Sequence, residues 1–208
     1  CLTKAVFIKE SLGATITAIN VGDNKNDAIL RKALAIGADK AVRINQEPTN
    51  SKMVANCIAN YCSQQKFDLI FCGTESIDYN GGQVPGFIAS NLNIPFINGC
   101  IGLEFEENTL KLKRTIDNGH EICTSPLPAL IAGQKGLVEE KELRIPSMRG
   151  IMTARTKPLE LVESSLTESE EVSILEYEKP LARSECKMID ENNVQNLVEL
   201  LQTEAKVI

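Results

Sequence analysis

The amino-acid sequence predicts an α/β protein with a doubly wound, mostly parallel sheet, a β-hairpin and an extended C-terminal arm. Three observations carry that expectation. Helix-period and strand-like segments alternate over residues 1–97; a period-two stretch with an Asn-Gly turn follows; and residues 163–208 are sharply acidic.

The elements follow in order. Leu2, Ala5, Val6, Lys9 and Leu12 recur at helical spacing and stop at Gly13. ATITAINVG (14–22) is a β-rich apolar run ended by Gly22-Asp23. Residues 27–36 read as a helix with Asp27 as N-cap, Leu30, Ala33 and Leu34 on one face, and Gly37 just past its end. KAVRI (40–44) is a short strand, and a helix over about 51–65 has Ser51 as its cap. FDLIFCG (67–73) is nearly continuous in apolar residues, as a strand covered on both faces should be. A Gly-rich loop then leads into a helix that begins near Gln83. Such alternation with buried strands implies parallel pairing and right-handed crossovers.

Beyond Ile97 the residues alternate, with turns at Glu107-Asn108 and at Asp117-Asn118-Gly119. Asn-Gly supplies the positive φ angles of a tight hairpin turn. PALIAG (128–133) returns to a buried strand, and residues 142–162 read as a loop or short helix followed by an extended segment. A Glu/Ser-rich stretch (163–171), an extended piece around Pro180 and an amphipathic helix at about 190–203 complete the chain. The sequence starts inside a helix with no strand before it. Because the first strand of a doubly wound sheet is normally central, this predicts a segment upstream of Cys1.

Composition narrows the function. With 208 residues, 43% of them apolar, the chain is neither disordered nor collagenous nor a disulfide mini-protein. No apolar run approaches the roughly 18 residues of a membrane span, and Lys4 and Lys9 interrupt the only signal-like stretch, so the protein is expected to be soluble. Residues 1–162 hold 18 Lys and Arg against 17 Asp and Glu, whereas residues 163–208 hold 4 against 11. The predicted organisation is therefore an α/β domain at 1–162 and an acidic arm at 163–208. A nearly neutral body with an acidic tail and no Trp makes nucleic acid a poor partner. Seven cysteines without close pairing read as reduced, small hydrophobes in the cytoplasm or mitochondrial matrix. One histidine, His120, leaves a zinc site little to draw on.

Neither G-x-G-x-x-G nor G-x-x-x-x-G-K-[ST] occurs, and no catalytic constellation can be assembled around a lone His in a hairpin. The informative segment is GTESIDYNGGQVPG (73–86), at the carboxyl end of the strongest strand, where open α/β sheets bind ligands. A helix starting near Gln83 points its N–H groups at an anion such as phosphate, Gly81 and Gly82 permit close approach, and Glu75 and Asp78 suit ribose hydroxyls or an adenine amino group. An ordinary strand-to-helix turn explains the same residues equally well. Gly22-Asp23 is a weaker contributor to the same crevice. Residues 145–157 place Arg149, Arg155 and Lys157 among Ile, Met and Pro, which reads as a solvated connection or as a docking loop.

Taken together, LRKALAIGADKAVRI, FDLIFCGTESIDYNGGQVPG, LKRTIDNGHEICTSPLPALIA, LRIPSMRGIMTARTKPLELV and KPLARSECKMI resemble, in order, segments of the electron-transfer flavoprotein β subunit family. The resemblance implies an adenine-nucleotide-binding (HUP-like) topology whose first strand lies upstream of Cys1. It implies an electron carrier subunit without catalytic residues of its own, pairing with an α subunit that carries most of the FAD. It further implies an AMP held as a structural nucleotide by Val21, Gly22, Gly73, Thr74, Glu75, Ser76, Ile77, Asp78, Gly81, Gly82, Gln83 and Val84. A docking loop centred on Pro146, Met148 and Arg149 would receive flavin dehydrogenases such as acyl-CoA dehydrogenase, with electrons passing on to a quinone reductase. Thr74, Glu75 and the Pro85-Gly86 order depart from the family pattern. Two alternatives stand beside this one: an electron-bifurcating relative with a second FAD in the AMP site, and a universal-stress-type ATP-binding protein.

Overall fold

A computed structural model describes residues 1–78, 80–107, 109–164, 175–183 and 185–208. Two units can be separated, Cys1–Ser173 and Ile174–Ile208.

The first unit opens with α1 (Leu2–Leu12), closed by Gly13 in the left-handed conformation at φ 73°. β1 (Thr17–Val21) follows, then α2 (Asp27–Ile36) and β2 (Lys40–Asn45). Asp27 does not cap α2. A short 3-10 turn at Asn24–Asn26, capped by Asp23, leads directly into the helix, and the Asp27 carboxylate goes instead to Arg43. α3 (Ser51–Ser63) is capped one residue earlier than expected, by Asn50, whose side chain accepts from the Met53 amide at 2.8 Å. β3 (Leu69–Gly73) and α4 (Val84–Leu92) complete the alternation.

The alternating stretch folds as three antiparallel strands, β4 (Phe96–Glu106), β5 (Thr109–Ile116) and β6 (Gly119–Pro126). The predicted hairpin is the β5–β6 pair, turning at Asp117-Asn118, and β4 lies on its other side. Asn108, in the other predicted turn, lies outside the described residues. β7 (Ala129–Gly133) is the buried strand of PALIAG, and α5 (Met148–Ala154) and β8 (Leu159–Glu163) follow.

The strands form two sheets, an all-parallel one ordered β1-β2-β8 and a mixed one ordered β3-β7-β4-β5-β6, parallel across β3-β7-β4 and antiparallel across β4-β5-β6. Helices cover both faces, as doubly wound topology requires. α1, α2 and α5 enclose one core with Leu30, Leu34, Ala38 and Ala41. α3 covers Val21, Val42 and Ile44 on the opposite face, and α4 packs Ile88 against Leu130. The core under the antiparallel strands holds Leu103, Leu110, Leu112 and Ile131. Leu34 is fully buried, so truncation to Ala costs about 2–5 kcal/mol.

β3 departs from its sequence reading. Leu69, Ile70, Phe71 and Cys72 are only half-buried rather than enclosed. Within the described residues β3 pairs with β7 alone, so one edge stays open, and β1 likewise pairs only with β2.

The second unit carries α6 (Val194–Leu200), with Asn193 accepting from the Asn196 amide at 3.3 Å, and a wider turn at Leu201–Ala205. Val194 and Leu197 on this helix are exposed. Residues 165–171 of the Glu/Ser-rich stretch lie outside the described residues.

Candidate nucleotide loop and docking segment

The loop of residues 73–84 leaves the carboxyl end of β3 and is tied down by its own residues. Thr74 donates twice to the Gly133 carbonyl, from its amide at 3.3 Å and its hydroxyl at 3.1 Å, which fixes the loop to β7. Ser76 and Gly81 then close on each other: the Ser76 amide donates to the Gly81 carbonyl at 3.0 Å, and the Gly81 amide donates to Ser76 Oγ at 3.1 Å. Asn80 takes a left-handed conformation at φ 54°, which Asn tolerates better than most residues.

Two of the predicted loop residues, Ser76 and Gly81, therefore spend polar groups on the loop itself, and Thr74 spends its donors on β7. Ile77 is 99% exposed, an outward position uncovered among the described residues. Glu75 and Asp78 are exposed as well. Among the described residues no side chain caps α4 and its first turn holds no acidic residue, so its opening amides at Gln83 and Val84 carry the positive end of the helix dipole. Pro85 in the first turn is well placed there, since its missing N–H leaves no unpaired donor.

Val21 and Gly22 end β1 and are both buried. A Cβ added at Gly22 would run into Asn26 Nδ2 and lie 3.3 Å from Asn20 Oδ1, so the turn is built for glycine. Its carbonyl is held from behind by Arg43, which sequence reading passed over. Arg43 is 6% exposed and donates to Gly22 O at 3.2 Å, Asn45 Oδ1 at 3.0 Å and Asp27 Oδ1 at 2.7 Å. The signal for it was a cation inside an otherwise apolar strand, KAVRI. A second overlooked group is Asn20, whose Oδ1 is buried with no hydrogen-bond partner among the described residues.

The segment 143–157 is anchored at both ends and exposed between them. Arg144 donates from its guanidinium to Glu10 at 2.8 Å and from its backbone amide to the Thr3 hydroxyl at 3.2 Å, and its guanidinium lies 5.1 Å from the centre of the Phe7 ring. At the other end Arg31 donates to the carbonyls of Ala154 and Lys157, both at 2.7 Å, and Lys157 Nζ donates to Leu34 O and Ala38 O. α5 rests directly on α2, where a Cβ at Gly150 would collide with the Ala35 carbonyl. Between these anchors Ile145 is 81% and Met148 79% exposed, with Leu143, Ile151 and Met152 exposed beside them. Arg149 is exposed, and Pro146 is half-buried. Exposed apolar side chains on a segment anchored at both ends, with exposed Arg149 among them, form a surface suited to transient association.

The cysteines show no redox pairing, and all seven are free. Burial pushes the Cys62 and Cys72 thiols up to about 11. Among the described residues no cluster of His, Cys, Asp and Glu could hold a metal, and no helix is long and apolar enough to cross a membrane.

Comparison with known proteins bears on the family of the chain. The electron transfer flavoprotein domain model matches residues 1–167. The electron transfer flavoprotein subunit beta of Bacillus subtilis is 34% identical over all of this chain and 84% of that protein. Its namesake in Syntrophomonas wolfei is 30% identical over 98% of this chain and 81% of its own length, and that of Mus musculus 29% over 87% and 73%. The chain belongs to the electron transfer flavoprotein β subunit family.

Proposed function

We propose that this chain pairs with an FAD-carrying α subunit and positions it for single-electron transfer from acyl-CoA dehydrogenases or similar flavoenzymes to a quinone reductase. The single observation that carries the reading is the anchored segment around Met148, which presents Ile145, Met148, Ile151 and Met152 to solvent. Cations beside an apolar anchor favour fast, salt-sensitive encounters, which suits a carrier that serves several partners in turn. FAD, when bound, supplies the one-electron chemistry; this chain's part is to hold surfaces in register.

The AMP reading rests on the loop 73–84 and the Gly22 turn. The opening amides of α4 suit a phosphate, and Glu75 and Asp78 suit the ribose or the adenine amino group. The self-closed Ser76–Gly81 turn fits a pre-formed cradle, since its shape needs no ligand to hold it. In this role the chain needs no catalytic residues of its own.

Co-expression with the α subunit of a family member, followed by extraction and quantification of nucleotides, tests the proposal. A yellow heterodimer with one FAD and one AMP is expected. Two FAD per heterodimer would replace AMP with a second flavin, and a colourless homodimer retaining ATP would overturn the carrier reading.

A further inference from the structure

The sequence carries four methionines, and the structure sorts them sharply. Met53 sits within α3 at 7% exposure, where its sulfur accepts from the Cys57 thiol at 3.7 Å. Met148 and Met152 both stand on α5 and are 79% and 69% exposed. Met188, in the second unit, is 87% exposed. Spaced four apart, Met148 and Met152 lie one turn from each other on a single face of α5. The helix backs onto α2 at Gly150 and turns these two thioethers to solvent, beside exposed Ile145 and Ile151.

Exposure decides what oxidation does to each of them. A thioether is apolar and adaptable, which suits a surface that meets several partners, whereas its sulfoxide is polar and has to be desolvated before it can enter an apolar contact. At Met53 a sulfoxide would disrupt the packing of α3 against Val42 and Ile44. At Met148 and Met152 the side chains do little packing among the described residues, so the same change alters the surface and spares the fold. A docking surface that is used in turn also stands open to solvent between encounters. Few thiols compete for the oxidant here: the buried Cys62 and Cys72, pushed up to about 11, offer little thiolate, while Cys1 and Cys186 are exposed.

We infer that Met148 and Met152 form a reversible oxidation site, at which hydrogen peroxide or another hydroperoxide turns the docking surface off and a sulfoxide reductase turns it back on. The sulfur lone pair attacks one peroxide oxygen and the O–O bond breaks. Sulfur is oxidised by two electrons and keeps that oxygen as the sulfoxide; the proton on it passes to the departing hydroxide, which leaves as water. In the reverse direction two thiols become a disulfide, the thioether returns, and the oxygen leaves as water. The inference rests on the docking reading of this segment and is independent of the AMP reading.

Peroxide treatment of the heterodimer, made with the α subunit of a family member, tests it. Hydrogen peroxide is added and then removed with catalase; dithiothreitol next reverses disulfides and sulfenic acids at exposed Cys1 and Cys186 but leaves sulfoxides in place. Peptide mapping should find sulfoxide at Met148, Met152 and Met188, with Met53 lagging about tenfold or more because the reagent must wait for local opening. KM for the treated carrier in acyl-CoA-dehydrogenase-coupled reduction should rise about fivefold or more, while Tm and FAD content hold at untreated values. Methionine sulfoxide reductases A and B, one for each epimer, should restore it. Each variant is compared with its own untreated form: Met188→Leu should respond to peroxide as the parent does, and Met148→Leu combined with Met152→Leu should not respond. Unchanged KM with both sulfoxides mapped, no recovery with the reductases, or an equal response in the double variant would overturn the inference. Met148→Ala separates this from the docking reading. If that variant is reduced at the parental rate, the docking reading fails and takes the oxidation site with it; if it is slowed while the sulfoxides change nothing, the oxidation site alone is lost.

Discussion

Replacing Arg43 by Met tests whether the Gly22 turn depends on the guanidinium behind it. Arg43 lies on β2 between buried Val42 and Ile44, and Met preserves most of its apolar stem while deleting all its donors. Three acceptors lose their partner: Asp27 at 2.7 Å, Asn45 at 3.0 Å and Gly22 O at 3.2 Å. Asp27 is 41% exposed and rehydrates, so its share is about 0–1 kcal/mol. The other two had a charged donor, and together with Asp27 their loss sums to about 3 kcal/mol. For a chain of this size that lowers Tm by about 6–12 °C. Urea titration should show the midpoint falling at unchanged slope, and Asp27→Asn should cost about 1 kcal/mol or less. If the Gly22 turn also serves AMP, the variant purified as a heterodimer should retain less of it. A Tm within about 2 °C of the parent would refute the reasoning, since water would then be satisfying these acceptors as well as Arg43 does.

Other expectations follow from single sites. Met148→Ala should slow dehydrogenase-coupled reduction about tenfold, as loss of an interface anchor does, while FAD content and Tm stay at parental values because the side chain is 79% exposed; equal reduction rates would remove its docking role. Alkylation at pH 8 with peptide mapping should mark exposed Cys186 first and leave Cys62 and Cys72 roughly two orders of magnitude slower, because burial has pushed their thiols up to about 11; equal rates would contradict that burial. Burial alone would raise the Asp39 carboxyl, but Lys9 and the Ile16 amide at 2.9 Å outweigh it and hold the group below its ordinary value. A depressed folded-state value contributes stability above the unfolded value and loses it as pH falls through the folded one. Asp39→Asn should therefore cost about 1 kcal/mol at pH 7, with the gap to the parent closing toward pH 3; a gap independent of pH would refute the coupling to charge.

What the sequence conveyed well was local. Gly13 and Gly37 mark helix ends because their N–H groups close the last turn on Lys9 O and Ala33 O, a constraint that needs no distant partner. The Asn-Gly turn and the alternation around it placed β5 and β6 for the same reason. Caps were less legible, because Asp27 and Ser51 each have a competent neighbour, and which side chain caps depends on the incoming turn. Arg43 was invisible as a brace: its use comes from Gly22 and Asp27, which are distant in sequence and meet it only once β1, β2 and α2 have assembled.

The strand FDLIFCG carries the more general point. Apolar continuity reports that both faces of a strand meet covering elements, and β3 does have helices on either side. It reports nothing about the strand's two edges, whose demand is for backbone groups and leaves no trace in side-chain composition. ATITAINV has the same property, and it too stands with one edge open. A sequence can therefore describe every side-chain surface of a sheet correctly and still be silent on whether its ladder is complete.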